Sequence, residues 1–303
     1  ALPRTVVGLR AATFEAPEAL RTLFGPEPGE APDPEIPETP AAPSWDILVD
    51  ELAQQPRGMI MTMGKGGVGK TIIAARLAEA LAGRGLPVIL ATTDPAAHAA
   101  EARSAHSDLE VVRIDAASET ETYRQEVLQT AGAGLDAEQV ALLEEDLRSP
   151  CTEEVAVFRA FARIVEHGAD HLVVCDTAPT GHTLLLLDAT QSYHRELGRQ
   201  SVGGVPESVL RLLPRLRDPE FNRVLIVTLP ESTPVHEAGA LDQDLSRAGI
   251  TPWAWIVNQA LAPTGTRDPL LLGKTAGEIP WIRRVVDERP RPYLVPWRED
   301  WLY

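Results

Sequence analysis

The sequence predicts a doubly wound α/β protein, with a mainly parallel sheet covered by helices on both faces. Three observations carry this. First, apolar runs recur at 58–63, 87–92, 171–175, 223–229 and 253–257, with a last short one at Tyr293-Leu294-Val295, and helical patterns separate them. The runs are continuous rather than alternating, which means burial on both faces, as in a parallel sheet. Second, the run at 58–63 leads into Gly64-Lys65-Gly66-Gly67-Val68-Gly69-Lys70-Thr71 and then into the helical pattern Ile72 to Leu81. Strand, glycine loop and helix in that order form a phosphate-binding unit. Third, Asp94 and Asp176 follow two of the runs, at the carboxyl ends where such sheets gather functional groups.

Taken in order, residues 1–25 read as a strand, Thr5 to Leu9, and a short helix, Ala16 to Leu23. Two such elements cannot bury a core, so they are expected to close a preceding domain. Residues 26–44 hold Pro26, Pro28, Pro32, Pro34, Pro37, Pro40 and Pro43 among acidic and small residues. Proline removes backbone donors and favours extended chain, so this reads as a semi-rigid linker. Residues 45–303 form the third unit, opened by a short amphipathic helix at Ser44 to Leu52 and interrupted by longer helical insertions at 118–166 and 188–216. The chain begins at Ala1 in mid-pattern and stops at Tyr303 soon after the last strand. A piece of a longer protein, lacking its closing helix, is therefore expected.

The bulk properties narrow the function classes. With 303 residues, 44% hydrophobic and 24% charged, the chain can build a core without staples. A formal net charge of −16 argues against nucleic acid as the main partner, because a duplex-binding surface needs a basic field. The two cysteines, Cys151 and Cys175, form no C-x-x-C and no disulfide framework, so a reducing cytosol is expected. No apolar run is long enough to span a bilayer, and membrane contact would go through a partner protein.

The loop from Gly64 to Thr71 fits G-x-x-x-x-G-K-[ST]. Its glycines let successive backbone N–H groups, including those of Gly66, Gly67, Val68 and Gly69, converge on an anion. The helix that follows adds its positive dipole end. Lys70 is placed to reach the outer phosphates and the Thr71 hydroxyl a magnesium ion. Lys65 is unusual: like charges crowded on one loop repel unless an anion is shared between them. Asp94 either positions an attacking water, enters a magnesium shell, or caps a helix, since Pro95 follows it. Asp176 fits the acidic position that supports magnesium through its water shell, with a helix cap as the plainer alternative.

Ser149 as N-cap and Pro150 at the first helical position would put Cys151 in a first turn, where the dipole favours thiolate, a ligand for soft ions. A small buried apolar residue is the other reading. Cys175 lies inside a strand and reads as structural. His182 is a ligand or part of a moving loop. Asn258 follows a strand and offers a base edge a donor and an acceptor. Pro296 and Trp297 follow the last strand and could cover that base. Turn chemistry accounts for both equally well.

Together these motifs resemble the signature-lysine ATPases, which carry a deviant phosphate loop. That family includes the septum-site and plasmid-partition ATPases, the nitrogenase iron protein, the tail-anchored-protein targeting factor and the arsenical pump-driving ATPases. The loop Gly64–Thr71 carries the resemblance. Thr93 to His98 looks like the switch I of the last two groups, and Asp176 to Leu184 looks like their switch II. Asp146 to Glu154 is similar to the metalloid-site segment in the second half of the arsenical pump-driving ATPases, and the C-x-x-C of the targeting factor is missing.

The resemblance covers residues 45–297, and more weakly the first 25. It implies a cytoplasmic ATP hydrolase using magnesium. Lys65 would reach across an interface to phosphates bound by a homologous first half or a second copy. Asp94 would position water, Asp176 would support magnesium, and Asn258 and Pro296 would take the adenine. It further implies that Cys151 and His182 bind As(III) or Sb(III), and that hydrolysis energises an integral membrane arsenite carrier. The alternative it leaves is a chaperone of the targeting-factor type, with Leu210, Leu212, Leu213 and Leu216 lining an apolar groove.

Overall fold

The computed structural model of the chain describes residues 38–92, 108–176 and 207–301. Its strands are β1 Gly58–Met63, β2 Val88–Thr92, β3 Leu109–Arg113, β4 Leu172–Asp176, β5 Asn222–Thr228, β6 Pro252–Ala260 and β7 Pro292–Pro296. They form one sheet in the order β3-β2-β4-β1-β5-β6-β7, with every neighbouring pair parallel. Parallel pairing aligns the carboxyl ends on one edge, and β1 sits at the centre of that edge.

The described helices are α1 Trp45–Ala53, α2 Lys70–Ala82, α3 Ala116–Thr130, α4 Ala137–Asp146, α5 Pro150–His167, α6 Glu207–Arg217, α7 Ser232–Arg247 and α8 Pro269–Glu288. They cover both faces, as the continuous apolar runs require. β1, β2 and β4 are buried along their whole length. The two-residue period of a strand sends Ile60 to one face and Met59, Met61 and Met63 to the other. On the first face Leu48 and Leu52 of α1 and Ile73, Leu77 and Leu81 of α2 pack with Ile60, Leu90 and Val174. On the second, Phe158 and Ile164 of α5, Leu212 and Leu216 of α6, Leu241 of α7 and Ile282 of α8 join Met61, Val173 and Trp255. Each such side chain contributes roughly 1.5–3 kcal/mol on burial, so both layers stabilise the edge that β1 presents.

The structure departs from the sequence reading in three places. Strand β3 was not predicted. It is an edge strand, Leu-Glu-Val-Val-Arg, with Glu110 and Arg113 exposed, so it shows no continuous apolar run. β6 was expected to stop at Val257 but continues to Ala260. Gln259 adopts a φ of 56°, the register shifts there, and Ala260 then pairs with Pro296 of β7. Finally, Leu212 and Leu216 are 1% and 3% exposed and belong to the core, so they line no groove, while Leu210 is left exposed.

The insertion at 118–166 resolves into α3, α4 and α5. The predicted elements of residues 1–25 and most of the proline-rich stretch lie outside the described residues. Of that stretch, Thr39 donates from Oγ1 to the Ala262 carbonyl at 3.1 Å and the Pro43 carbonyl accepts from Leu294 N at 3.1 Å. Residues 39–43 therefore lie along β7 and the turn after β6.

Candidate functional site

The site is built where β1 ends. Gly64 leaves the strand with a φ of 154°, and a Cβ there would stand 2.3 Å from the Val227 carbonyl oxygen of β5. Gly69 caps α2 in the left-handed region, at φ 89°, and a Cβ would meet Asn258 Nδ2 at 2.5 Å. Any other residue would collide with the β5 backbone at Gly64, and at Gly69 would have to displace the Asn258 side chain from a left-handed backbone. Gly66 and Gly67, between them, are exposed and face open space. The loop is thus pinned at both ends and open above its middle, a cradle with room for an anion beside a helix N-terminus.

The two lysines of the loop are placed differently. Lys70 opens α2, is 8% exposed, and donates from Nζ to the Lys65 carbonyl at 3.0 Å. Burial lowers its pKa from the ordinary lysine value, and the Asp176 carboxylate partly restores it. The Lys65 side chain, 41% exposed, swings outward and pairs with Glu237 of α7 at 2.8 Å.

Asp176 ends β4 in register with Thr62 of β1 and Thr92 of β2. It is 4% exposed and accepts from Thr92 Oγ1 at 3.3 Å. Thr71, half-buried, occupies the first turn of α2. A hydroxyl and a carboxylate on the carboxyl edge are the oxygen donors a hard divalent cation takes, so the residues present suit magnesium. Cys175, one residue before Asp176, is a free thiol pushed up to about 12 by burial and then by the neighbouring carboxylate. It is a packing residue, as its place inside a strand predicted.

Asn258 and Pro296 also reach this edge. Asn258 is 2% exposed and donates from Nδ2 to the Val68 carbonyl of the loop at 2.9 Å, so the end of β6 braces the loop from behind. Pro296 pairs with Ala260, whose carbonyl accepts from Trp297 N at 2.9 Å. Lys65, Lys70, Thr71, Asp176, Asn258 and Pro296 are thereby gathered along the carboxyl ends of β1, β4, β6 and β7.

Asp94 and His182 lie outside the described residues. Cys151 falls in the first turn of α5, which begins at Pro150 as Ser149-Pro150 predicted.

Two acidic residues were not anticipated. Glu237 holds Lys65. Glu278 of α8, 3% exposed, accepts from Leu261 N at 2.8 Å and Ala262 N at 3.2 Å. A signal for Glu278 existed: it shares the buried stripe Leu272, Thr275, Ile279, Ile282, where a carboxylate is out of place. Glu237 gave none, because its partner is 172 residues away.

A parallel sheet with a glycine loop between its central strand and a helix N-terminus, and an aspartate ending the next strand, defines a phosphate-loop nucleotide-binding protein. Comparison with known proteins takes this further. The family described as anion-transporting ATPase matches residues 57–205. An "Arsenical pump-driving ATPase" of Escherichia coli is 48% identical over 299 residues, which is 97% of this chain and 51% of the relative. A "Putative arsenical pump-driving ATPase 2" of Aquifex aeolicus is 30% identical over 259 residues, 73% of this chain and 86% of the relative. An "ATPase GET3" of Malassezia globosa is 27% identical over 259 residues, 71% and 76% of the two chains. The chain belongs to the anion-transporting ATPase family, with arsenical pump-driving ATPases among its relatives. It spans about half the length of the Escherichia coli relative.

Proposed function

We propose that this chain is the second ATPase half of a metalloid-stimulated ATPase that energises arsenite or antimonite efflux through a membrane carrier. The observation that carries the reading is the division between two lysines of one loop, Lys70 buried against the loop and Lys65 half-exposed on Glu237. A single nucleotide on this chain accounts for the first lysine. The second is free to serve phosphates bound elsewhere, on the first half or on a second copy.

In this reading ATP rests its phosphates over Gly64–Thr71, held by the loop amides and the N-terminus of α2. Lys70 exchanges the Lys65 carbonyl for phosphate oxygens. Lys65 leaves Glu237 and crosses to the partner's phosphates, adding positive charge where negative charge develops. Asp94 orients a water for in-line attack on the γ-phosphorus, and the bond to the leaving ADP oxygen breaks as the water oxygen attaches. Thr71 and Asp176, with Asp94, would hold magnesium, which when bound neutralises phosphate charge. Asn258 and the segment at Pro296 face the adenine. Cys151 and His182 take As(III) or Sb(III), soft ions that favour thiolate. Ligands from both halves would draw those halves together and raise hydrolysis. Among the described residues no helix is long and apolar enough to cross a membrane. In this reading, membrane attachment from the cytoplasm goes through the carrier.

The test is phosphate release by a protein containing both halves, with and without arsenite or antimonite. Stimulation that disappears in Cys151→Ala supports the proposal. An unstimulated enzyme, indistinguishable from Cys151→Ala, contradicts it. A second reading, a targeting-factor-like chaperone for tail-anchored membrane proteins, is favoured by the likeness to the Malassezia globosa relative. It loses two of its four expected groove leucines to the core. Copurification with a membrane-anchor peptide would revive it.

A further inference from the structure

We infer that Glu278 is a positioning residue for the nucleoside end of the nucleotide, acting through the backbone of Leu261 and Ala262; the inference rests on the nucleotide-site reading above. The argument begins with a cost. A carboxylate 3% exposed on an apolar helix face is expensive unless its charge is satisfied. Burial pushes the Glu278 carboxyl up, and the two backbone N–H groups and Lys274 oppose that push. One oxygen, Oε2, accepts both backbone N–H groups, so the carboxylate is committed to a single turn.

That turn begins where β6 has just been bent. Gln259 sits at φ 56°, a conformation that costs a non-glycine residue energy and persists only when its surroundings enforce it. On one side of the bend, Asn258 holds the Val68 carbonyl of the phosphate loop, and its Nδ2 leaves no room for a Cβ at Gly69 at the start of α2. On the other side, Ala260 receives Trp297 N and pairs with Pro296. Glu278 holds the N–H groups of Leu261 and Ala262, while Thr264 and Thr39 hold their carbonyls. Through those N–H groups Glu278 helps set the spacing between the phosphate loop and the wall formed by the ends of β6 and β7. The start of the phosphate loop is held apart from that wall, by the close approach of Gly64 to the Val227 carbonyl of β5, which admits only glycine there.

This separation makes a test possible on the chain as it stands. Binding of ATP and of inorganic tripolyphosphate is measured by calorimetry for wild type, Glu278→Ala, Glu278→Gln, Glu278→Asp and Lys70→Ala, with circular dichroism and Tm as folding controls. Losing two charge-assisted hydrogen bonds is expected to weaken ATP binding by about tenfold or more in Glu278→Ala, with tripolyphosphate changed less than about twofold. Glu278→Gln, which keeps an acceptor at the same reach, is expected to restore ATP binding to within about threefold of wild type. If Glu278→Ala does not fold, Glu278→Asp decides: a selective loss of ATP affinity supports the inference. Equal loss of both ligands, or no loss of ATP affinity in a folded Ala or Asp variant, overturns it. Lys70→Ala separates the two claims. It must lose both ligands if the nucleotide reading holds, and unchanged binding there sinks that reading whatever Glu278 does.

Discussion

Lys65 and Lys70 stand on the same loop, yet one faces inward and the other outward. Lys70 is buried at the floor, folded onto the Lys65 carbonyl and in the field of Asp176. Lys65 is at the rim, in an ion pair whose side chains are 41% and 46% exposed. Exposed pairs of this kind contribute about 0–1 kcal/mol, so Glu237 holds Lys65 loosely, whereas the floor holds Lys70 at the cost of a desolvated charge. Burial of a cation raises its affinity for an anion and lowers stability without one. Exposure leaves a cation available to a partner. In the proposed reading the loop thus carries one lysine committed to its own ligand and one held in reserve.

The largest effect should come from the floor. Lys70→Met is expected to weaken ATP binding by about 100-fold or more, measured by calorimetry, because in the proposed reading it removes the buried loop cation that serves the phosphates. The same variant should raise the Tm of the nucleotide-free protein. The folded pKa of Lys70 lies below its unfolded value, so the folded state carries the charge at a cost. That cost is complete below the folded pKa and fades as pH rises towards the ordinary lysine value. The gain in Tm should therefore be present at neutral pH and shrink in alkaline buffer.

Next is the brace behind the floor. Asn258→Ala leaves the Val68 carbonyl without its donor in a buried setting and should weaken ATP binding by about tenfold. Gly69→Ala attacks the same contact from the other side, since its Cβ would stand 2.5 Å from Asn258 Nδ2. It should lower both Tm and affinity, and Asn258→Ala should relieve part of the loss of Tm in the double variant. The rim should respond least. Glu237→Gln is expected to leave ATP binding within about twofold and to change Tm by less than about 2 °C. A larger loss would mean that Glu237 belongs to the floor after all.

The contrast also explains what the sequence could show. The loop, its flanking strand and helix, and Asp176 were legible because each is a local pattern: glycine spacing, an apolar run, a carboxylate closing a run. β3 was not, because an edge strand with Glu110 and Arg113 lacks the continuous run that marks the central strands. That Lys65 was odd could be read from sequence. That Glu237 receives it could not, because the pairing exists only once α7 packs beside the loop. Asn258 was picked out as an amide for a base edge, yet one of its donors is spent on the loop backbone. Its contact with Val68 spans 190 residues of sequence, which no local pattern announces. Glu278 was in plain sight on an apolar stripe, but its partners lie 16 and 17 residues earlier, across the junction of β6 and α8.

The central claim is that Lys70 serves the nucleotide on this chain and Lys65 does not. Calorimetric titration of ATP into wild type, Lys65→Met and Lys70→Met at equal concentration tests it directly. Binding by Lys65→Met within about twofold of wild type, with Lys70→Met weakened about 100-fold or more, is the predicted result. Equal losses in the two variants, or full binding by Lys70→Met, would contradict it.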